Sequence, residues 1–302
     1  MKMLSYAEAL RVAMAEEMER DKSVFVMGED VGVFGGCFGV TGDLVERFGE
    51  DRVRDTPITE TAIVGSAVGA AMTGSRPVAE IMFAGFMGVP MDEIFNQAAK
   101  MCYMTGGQAH VPLVIRVPDG AGIGAAAQHS ERTEAWFTHI PGLKVAYPSN
   151  PADAKGLLKT AIRDEDPVIF FEHKFLYRSL KEEVNDDYFT TEIGKARLVK
   201  EGTDVTVVTY GMGVHWALET LDDHSDILAD LIDLRTLAPL DTETIFDSVR
   251  KTGRVIVLHE DCEIGGIGAE LVTQINENCF EYLDAPIKRV ASLNTPVPFD
   301  AG

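Results

Sequence analysis

Residues 142–171 read GLKVAYPSNPADAKGLLKTAIRDEDPVIFF, and this stretch decides the fold class. Apolar residues cluster at 143–147 and again at 167–171, each run of strand length. Between them Asn150 precedes Pro151, the arrangement of a helix N-cap followed by proline at the first helical position, and this predicts a helix to about Arg163. Strand, helix and strand in immediate succession form a β–α–β unit, whose strands run parallel while the helix covers one face.

The alternation extends in both directions. Ser5 and Glu8 make a capping-box pattern, and Leu10, Met14 and Met18 recur at helical spacing, so a helix is predicted over 5–20. A strand at 24–27 leads into a glycine-rich loop at 28–42. A helix of small residues at 62–74 follows, with Glu60 in its first turn, then a strand at 77–83, a helix at 91–103 and a strand at 112–117. From 173 the chain turns polar and loses periodicity. Beyond 203, strands at 204–210, 226–234, 254–259 and 287–291 alternate with helices at 214–222, 241–251 and 267–278. The expectation is two parallel-sheet α/β domains, 1–175 and 204–302, joined by a linker at 176–203, with ligands beyond the carboxyl ends of the strands.

Composition narrows the function classes. The 302 residues are 46% hydrophobic and 25% charged, the balance of a folded globular protein. Lys and Arg number 27 against 48 Asp and Glu, a net charge of −21. With no basic stripe anywhere, nucleic acid and anionic membranes are poor partners. The longest uncharged stretch, around 62–75, is shorter than the ~20 residues a membrane-spanning helix needs. The amphipathic N-terminus has neither a signal core nor a transit pattern, and cytoplasmic residence is expected. Cys37, Cys102, Cys262 and Cys279 are widely spaced, which predicts four buried thiols and no zinc site or disulfide framework.

Three glycine clusters, at 120–124, 211–213 and 265–268, invite a nucleotide reading, yet none has the G-x-G-x-x-G spacing of a dinucleotide fold. Tight turns explain each, and a dinucleotide-dependent oxidoreductase is disfavoured. The chain also lacks a P-loop and a Gly-Asp-Gly motif with a downstream Asn pair, so it has no strong phosphate grip of its own. Glu60 reads either as a carboxylate favoured by a helix N-terminus or as a partly buried acid able to share a proton with a ligand nitrogen. His129 reads as a loop histidine, His139 as a packed structural residue and His173 as the start of the linker. Phe83 and Phe86 read as core aromatics or, alternatively, as a stacking surface.

Taken together, the segments DTPITE at 55–60, NQAAK at 96–100, AQHS at 127–130, PGLKV at 141–145, DAKGLL at 153–158 and TPVPF at 295–299 resemble the β subunit of the thiamin-diphosphate-dependent decarboxylating component of 2-oxo acid dehydrogenase complexes. The resemblance covers essentially the whole chain. It implies a transketolase-like pyrimidine domain followed by a smaller transketolase C-terminal-like domain. It also implies an active site shared with a separate α subunit, which holds the diphosphate and Mg²⁺, in an assembly of two α and two β chains. Glu60 would then hydrogen-bond the aminopyrimidine and promote deprotonation of the thiazolium carbon. Phe86 would stack on that ring, with Glu29, Ile58 and Met82 nearby. His129 would protonate the lipoyl dithiolane as the acyl group passes to the acyltransferase core component. A potassium ion would lie at the end of the helix near Arg163, on Leu113, Ala161, Ile162, Asp164 and Asp166; the alternative there is a helix end whose carbonyls meet water.

The residues at 103–107 and 172–174 bring the resemblance nearer to pyruvate and acetoin enzymes than to branched-chain ones, and the expected substrate is a small 2-oxo acid or acetoin. A branched-chain 2-oxo acid enzyme and a non-catalytic partner of the same fold are the alternatives, with retention of Glu60 and His129 set against the latter. Two departures stand out. Glu131 occupies a position where the family often has Gln, adding a negative charge near His129. The sequence also ends at Gly302, where family members usually continue through a final helix, so truncation is one expectation and docking to the acyltransferase core is the activity it touches.

Overall fold

The structure, a computed structural model, describes residues 1–298; Phe299 of the 295–299 segment and the end at Gly302 lie outside the described residues. The strands are β1 (Lys2–Ser5), β2 (Val24–Gly28), β3 (Val53–Asp55), β4 (Arg76–Glu80), β5 (Val114–Asp119), β6 (Lys144–Ala146), β7 (Val168–His173), β8 (Lys181–Val184), β9 (Arg197–Lys200), β10 (Val205–Thr209), β11 (Ala229–Asp233), β12 (Thr236–Ala238), β13 (Val255–Cys262) and β14 (Lys288–Ser292). The helices are α1 (Tyr6–Arg20), α2 (Leu44–Phe48), α3 (Glu60–Met72), α4 (Met101–Met104), α5 (Glu134–Thr138), α6 (Pro151–Arg163), α7 (Leu176–Ser179), α8 (Met212–Asp223), α9 (Thr242–Thr252) and α10 (Ile267–Cys279). No helix among the described residues is long and apolar enough to cross a membrane.

Seven strands in the order β12–β6–β7–β5–β4–β2–β3 make the larger sheet, parallel except for β12. Alternation along β2 shows how both faces are buried. Val24 and Val26 join α1 and α6 in one core, while Phe25 and Met27 join α3 in the other. The caps read from sequence are present: Ser5 and Glu8 satisfy each other's backbone N–H groups, and the Asn150 side chain accepts from Asp153 N. β3 and β4 lie on opposite sides of β2, so the strand order reverses there, and the crevice beyond its carboxyl end is the expected ligand position.

A second, five-stranded sheet runs β14–β13–β10–β11–β9, parallel except for β9. The larger core runs across both sheets, joining Ile169 and Phe171 to Val208, Ile232 and Leu237. Three features depart from the sequence reading. The helix expected at 91–103 is a π-helical segment, Glu93–Ala98, and then α4, and at the break Gly142 packs so closely on Ala99 O that a Cβ there would lie 2.0 Å away. The 176–203 segment carries α7, β8 and β9; β8 pairs antiparallel with β1, and Tyr188 lies over Lys159 of α6 at 3.5 Å. β12, from the second half of the chain, closes the edge of the first sheet by pairing with β6.

Candidate active site at the carboxyl ends of the first sheet

The crevice beside β2 gathers most of the residues singled out from the sequence. Glu29 follows β2 directly and is buried; that burial, then the nearby Glu60 and Asp30 carboxylates, pushes its carboxyl above the usual range. Glu60 opens α3 and is half-buried, and Thr61 beside it donates to Val89 O, tying the helix start to the segment after Phe86. Met82, half-buried, leads from β4 into a 3-10 turn, Ala84–Gly88, that carries Phe86. Ile58 is 82% exposed. An isoleucine so placed contributes nothing to this chain's core and is available to line a contact with something else.

His129 ends a second 3-10 turn, Ala127–His129, and its ring meets both Phe83 and Phe86 edge to face, with centroids 4.5 Å and 5.5 Å apart. Phe83 is therefore part of the site wall. Glu131 reaches back to Gly85, where a Cβ would come 2.5 Å from its Oε2. Its carboxylate thus borders the turn that presents Phe86.

Beneath this wall lies an ion-paired node that sequence reading missed. Arg116, fully buried on β5, donates Nε and Nη2 to the two Glu172 oxygens at 2.7 and 2.6 Å and Nη1 to Glu80 at 2.6 Å; Tyr177 also donates to Glu172. Burial pushes the Glu80 carboxyl up despite the guanidinium beside it. A charged residue in each of three apolar strands was the available signal, because an unpaired charge in such a strand is too costly to keep. A second node crosses to the other domain. Arg132 pairs with Glu260 of β13, His173 Nε2 lies 2.7 Å from the same carboxylate, and Glu134 accepts from Tyr210. Lys174 is buried beside it, its Nζ lacking a hydrogen-bond partner among the described residues and lying 5.7 Å from the Phe83 ring centre. Burial lowers this ammonium to about 8.

Three assignments change. His173 is not a linker residue but the buried end of β7, bound across the domain boundary. His139 is exposed at the end of α5 rather than packed. Of the four thiols only Cys279 is buried; Cys37 is exposed on the glycine-rich loop, and Cys102 and Cys262 are half-buried.

Of the residues expected around potassium, Ile162, Asp164 and Asp166 share Arg76 and Lys144 as partners at the end of α6. The carbonyls of Ile162 and Asp164 both accept from Arg76 Nη1 at 3.1 Å. Leu113 O accepts from Val168 N, and Ala161 O from Asp164 N. The Asp164 and Asp166 carboxylates hold the Lys144 ammonium at 2.7 and 3.0 Å.

Comparison with known proteins agrees with this layout. Residues 2–179 match the model of the transketolase pyrimidine binding domain, and residues 194–302 the transketolase C-terminal domain. The chain is 49% identical to 2-oxoisovalerate dehydrogenase subunit beta of Bacillus subtilis (strain 168), over 98% of this chain and 91% of that one. It is 48% identical to acetoin:2,6-dichlorophenolindophenol oxidoreductase subunit beta of Cupriavidus necator, over 98% and 90%. Against the pyruvate dehydrogenase E1 component subunit beta of B. subtilis the identity is 46%, over 99% and 93%. Among solved structures, a split-gene transketolase described as an inactive beta4 tetramer is similar with a TM-score of 0.77 and 25% identity, over 96% of this chain and 89% of that one.

Proposed function

We propose, from the premise that this chain belongs to the β subunits of thiamin-diphosphate-dependent 2-oxo acid dehydrogenases, that it supplies the pyrimidine side of an active site completed by a separate α subunit. The assembly would contain two chains of each kind, decarboxylate or cleave a small substrate of the pyruvate or acetoin type, and pass the acyl group to a lipoyl group of the acyltransferase core. The 49% identity to a 2-oxoisovalerate enzyme favours a branched-chain 2-oxo acid as the second reading. The observation that carries the proposal is the convergence of Glu29, Glu60, Phe86 and His129 on one crevice whose rim, at Ile58, is left bare.

The crevice suits an aminopyrimidine. Thr56 Oγ1 is buried without a partner among the described residues, the edge-to-face pair Phe83 and Phe86 forms one wall, and the Glu29 and Glu60 carboxyls lie near enough for one charge to act on the other. When bound, thiamin diphosphate supplies the electron sink for the carbanion chemistry, with Mg²⁺ held mainly by the α subunit. Glu60 would offer its carboxyl to a ring nitrogen and exchange a proton there. Glu29 stands close by, its carboxyl raised above the usual range by burial and then by the Glu60 and Asp30 carboxylates. Phe86, Met82 and Ile58 would orient the ring and exclude water. His129, on its aromatic wall, would carry a proton on a ring nitrogen towards the departing sulfur.

A potassium ion near Asp164 belongs to the same reading. It is supported by the convergence of two carbonyls on one Arg76 nitrogen, each with a further lone pair, and by three carboxylates, Asp164, Glu165 and Asp166, facing two cations, Arg76 and Lys144. The test of the whole is reconstitution with the α subunit, thiamin diphosphate and Mg²⁺, followed by side-by-side assay of pyruvate, acetoin and branched-chain 2-oxo acids. Turnover of one of them is expected; turnover of none would refute the proposal.

A further inference from the structure

Glu260 belongs to the second domain, at the carboxyl end of β13, yet its three side-chain partners among the described residues belong to the first. Its Oε1 accepts from Ala121 N at 3.2 Å and pairs closely with Arg132 Nη2. Its Oε2 lies 2.7 Å from His173 Nε2. Ala121 and Arg132 are the two ends of the loop that carries His129, and Arg132 Nη1 continues inward to Ser130 O at 2.6 Å, one residue from that histidine. We propose that Glu260 is a positioning residue that clamps both ends of this loop and so fixes His129 against Phe83 and Phe86.

The loop needs such a clamp. It forms no strand, and its one regular feature is the short turn ending at His129. Gly122, Ile123 and Gly124 are exposed, and a Cβ built at Gly124 would meet nothing within 4 Å. At the loop's start Gly120 has φ +93° and packs on the His173 ring, where a Cβ would fall 2.2 Å from Nε2. That ring is buried, and His173 Nδ1 has no partner among the described residues, so the hydrogen bond to Glu260 is made by a neutral imidazole with its proton on Nε2. The carboxylate therefore accepts from three donors: a backbone amide, a guanidinium and an imidazole. Glu260→Gln keeps the shape but turns one oxygen into an NH₂, which must face either His173 or the N–H groups of Ala121 and Arg132 as donor against donor.

The inference rests on the reading of His129 as the acid for acyl transfer, and its test separates the two. In the reassembled complex with the α subunit, Glu260→Gln is expected to lower acyl transfer to a lipoyl domain by about 10²-fold, the cost of a misplaced reacting group, and to lower dye-coupled decarboxylation less. Added to His129→Ala, it should cost transfer nothing more, because both act through one ring. Multiplying losses in the double variant, or unchanged transfer in the single one, would overturn the assignment. Hydrogen exchange supplies a reading independent of chemistry: amides 121–132 should exchange faster in Glu260→Gln while α3 and α6 stay protected. If His129→Ala leaves transfer untouched, the acid reading fails, and the clamp is judged on exchange alone, wild-type protection refuting it. Arg132→Lys, which retains the charge but loses the fork to Ser130 O, should move both readouts in the same direction should Glu260→Gln fail to fold.

Discussion

Phe83 and His129 meet edge to face, with ring centroids 4.5 Å apart and planes at 87°. Phe83 in turn packs on Phe38 and Phe86 at 5.6 Å each, and Phe38 on Tyr177 at 5.4 Å. The imidazole thus ends a row of aromatic rings that leads back to the Arg116 ion pairs through the Tyr177 hydroxyl.

That placement sets the first prediction. Protonating a dithiolane sulfur needs an acid, whereas oxidation by an artificial electron acceptor does not. His129→Ala should lower transfer to a lipoyl domain by roughly 10²–10⁴-fold and the dye-coupled rate much less. Equal losses in the two assays would make the histidine a binding or loop-holding residue instead.

Glu60 serves the earlier step, so Glu60→Gln should depress both assays together. Assembly with the α subunit should survive, because the side chain is half-buried at a helix start rather than in a core. Exchange of the thiazolium proton, followed by NMR in the reassembled complex, should slow by roughly 10²–10⁴-fold; exchange at the wild-type rate contradicts the assignment.

Partner dependence follows from the bare rim at Ile58 and from the lack of a recognisable diphosphate motif in the sequence. Titrated alone, the chain should bind thiamin diphosphate weakly and decarboxylate nothing, and both should appear on adding the α subunit. Tight Mg²⁺-dependent binding by the single chain in calorimetry is the contrary result.

His259 gives a pH prediction. It is buried against Gly266 and Gly268 with neither ring nitrogen hydrogen-bonded among the described residues, and burial, then Arg289, lowers it to about 4. The unfolded chain takes up this proton near pH 6.5 and the folded one near 4, so the fold loses stability as pH falls through that window, by roughly 2–3 kcal/mol. Asp233 and Asp261, both raised to about 6 chiefly by burial, act in the opposite sense, favouring the fold as pH falls. The measurement is therefore a difference: urea midpoints from pH 4 to 7 should depend less steeply on acid in His259→Leu than in the wild type. Parallel curves would show that the histidine is accommodated when charged.

Potassium can be tested by thermal melts of the assembled protein in KCl, NaCl and choline chloride at equal ionic strength. Stabilisation specific to K⁺, lost in Asp164→Asn, is expected. Identical melting temperatures would mean that Arg76 and Lys144 satisfy the carbonyls and carboxylates by themselves.

What could be read from sequence was local. Ser5 with Glu8, and Asn150 with Pro151, act within one helical turn, so the pattern fixes the cap whatever surrounds it. The 91–103 segment has helical periodicity, but periodicity does not encode the wider π turn or the backbone of Gly142 that packs where it breaks. The crevice residues were legible as a set only through resemblance, since Glu29, Glu60 and His129 are joined by strand order rather than spacing. His173 and Glu260 stand 87 positions apart, and nothing short of the folded chain brings them together.

The crossing of β12 into the first sheet bears on any attempt to divide the molecule. Cutting between residues 179 and 194, where the two family matches leave a gap, would strip β6 of its antiparallel neighbour and leave a row of open backbone donors and acceptors at that edge. Such a fragment gains a template for sticking to copies of itself, and its complement carries a loose Thr236–Ala238 segment with no sheet to join. The halves match two different domain families, yet they are sewn together at one seam and can be expected to fold, and to fail, as a single piece.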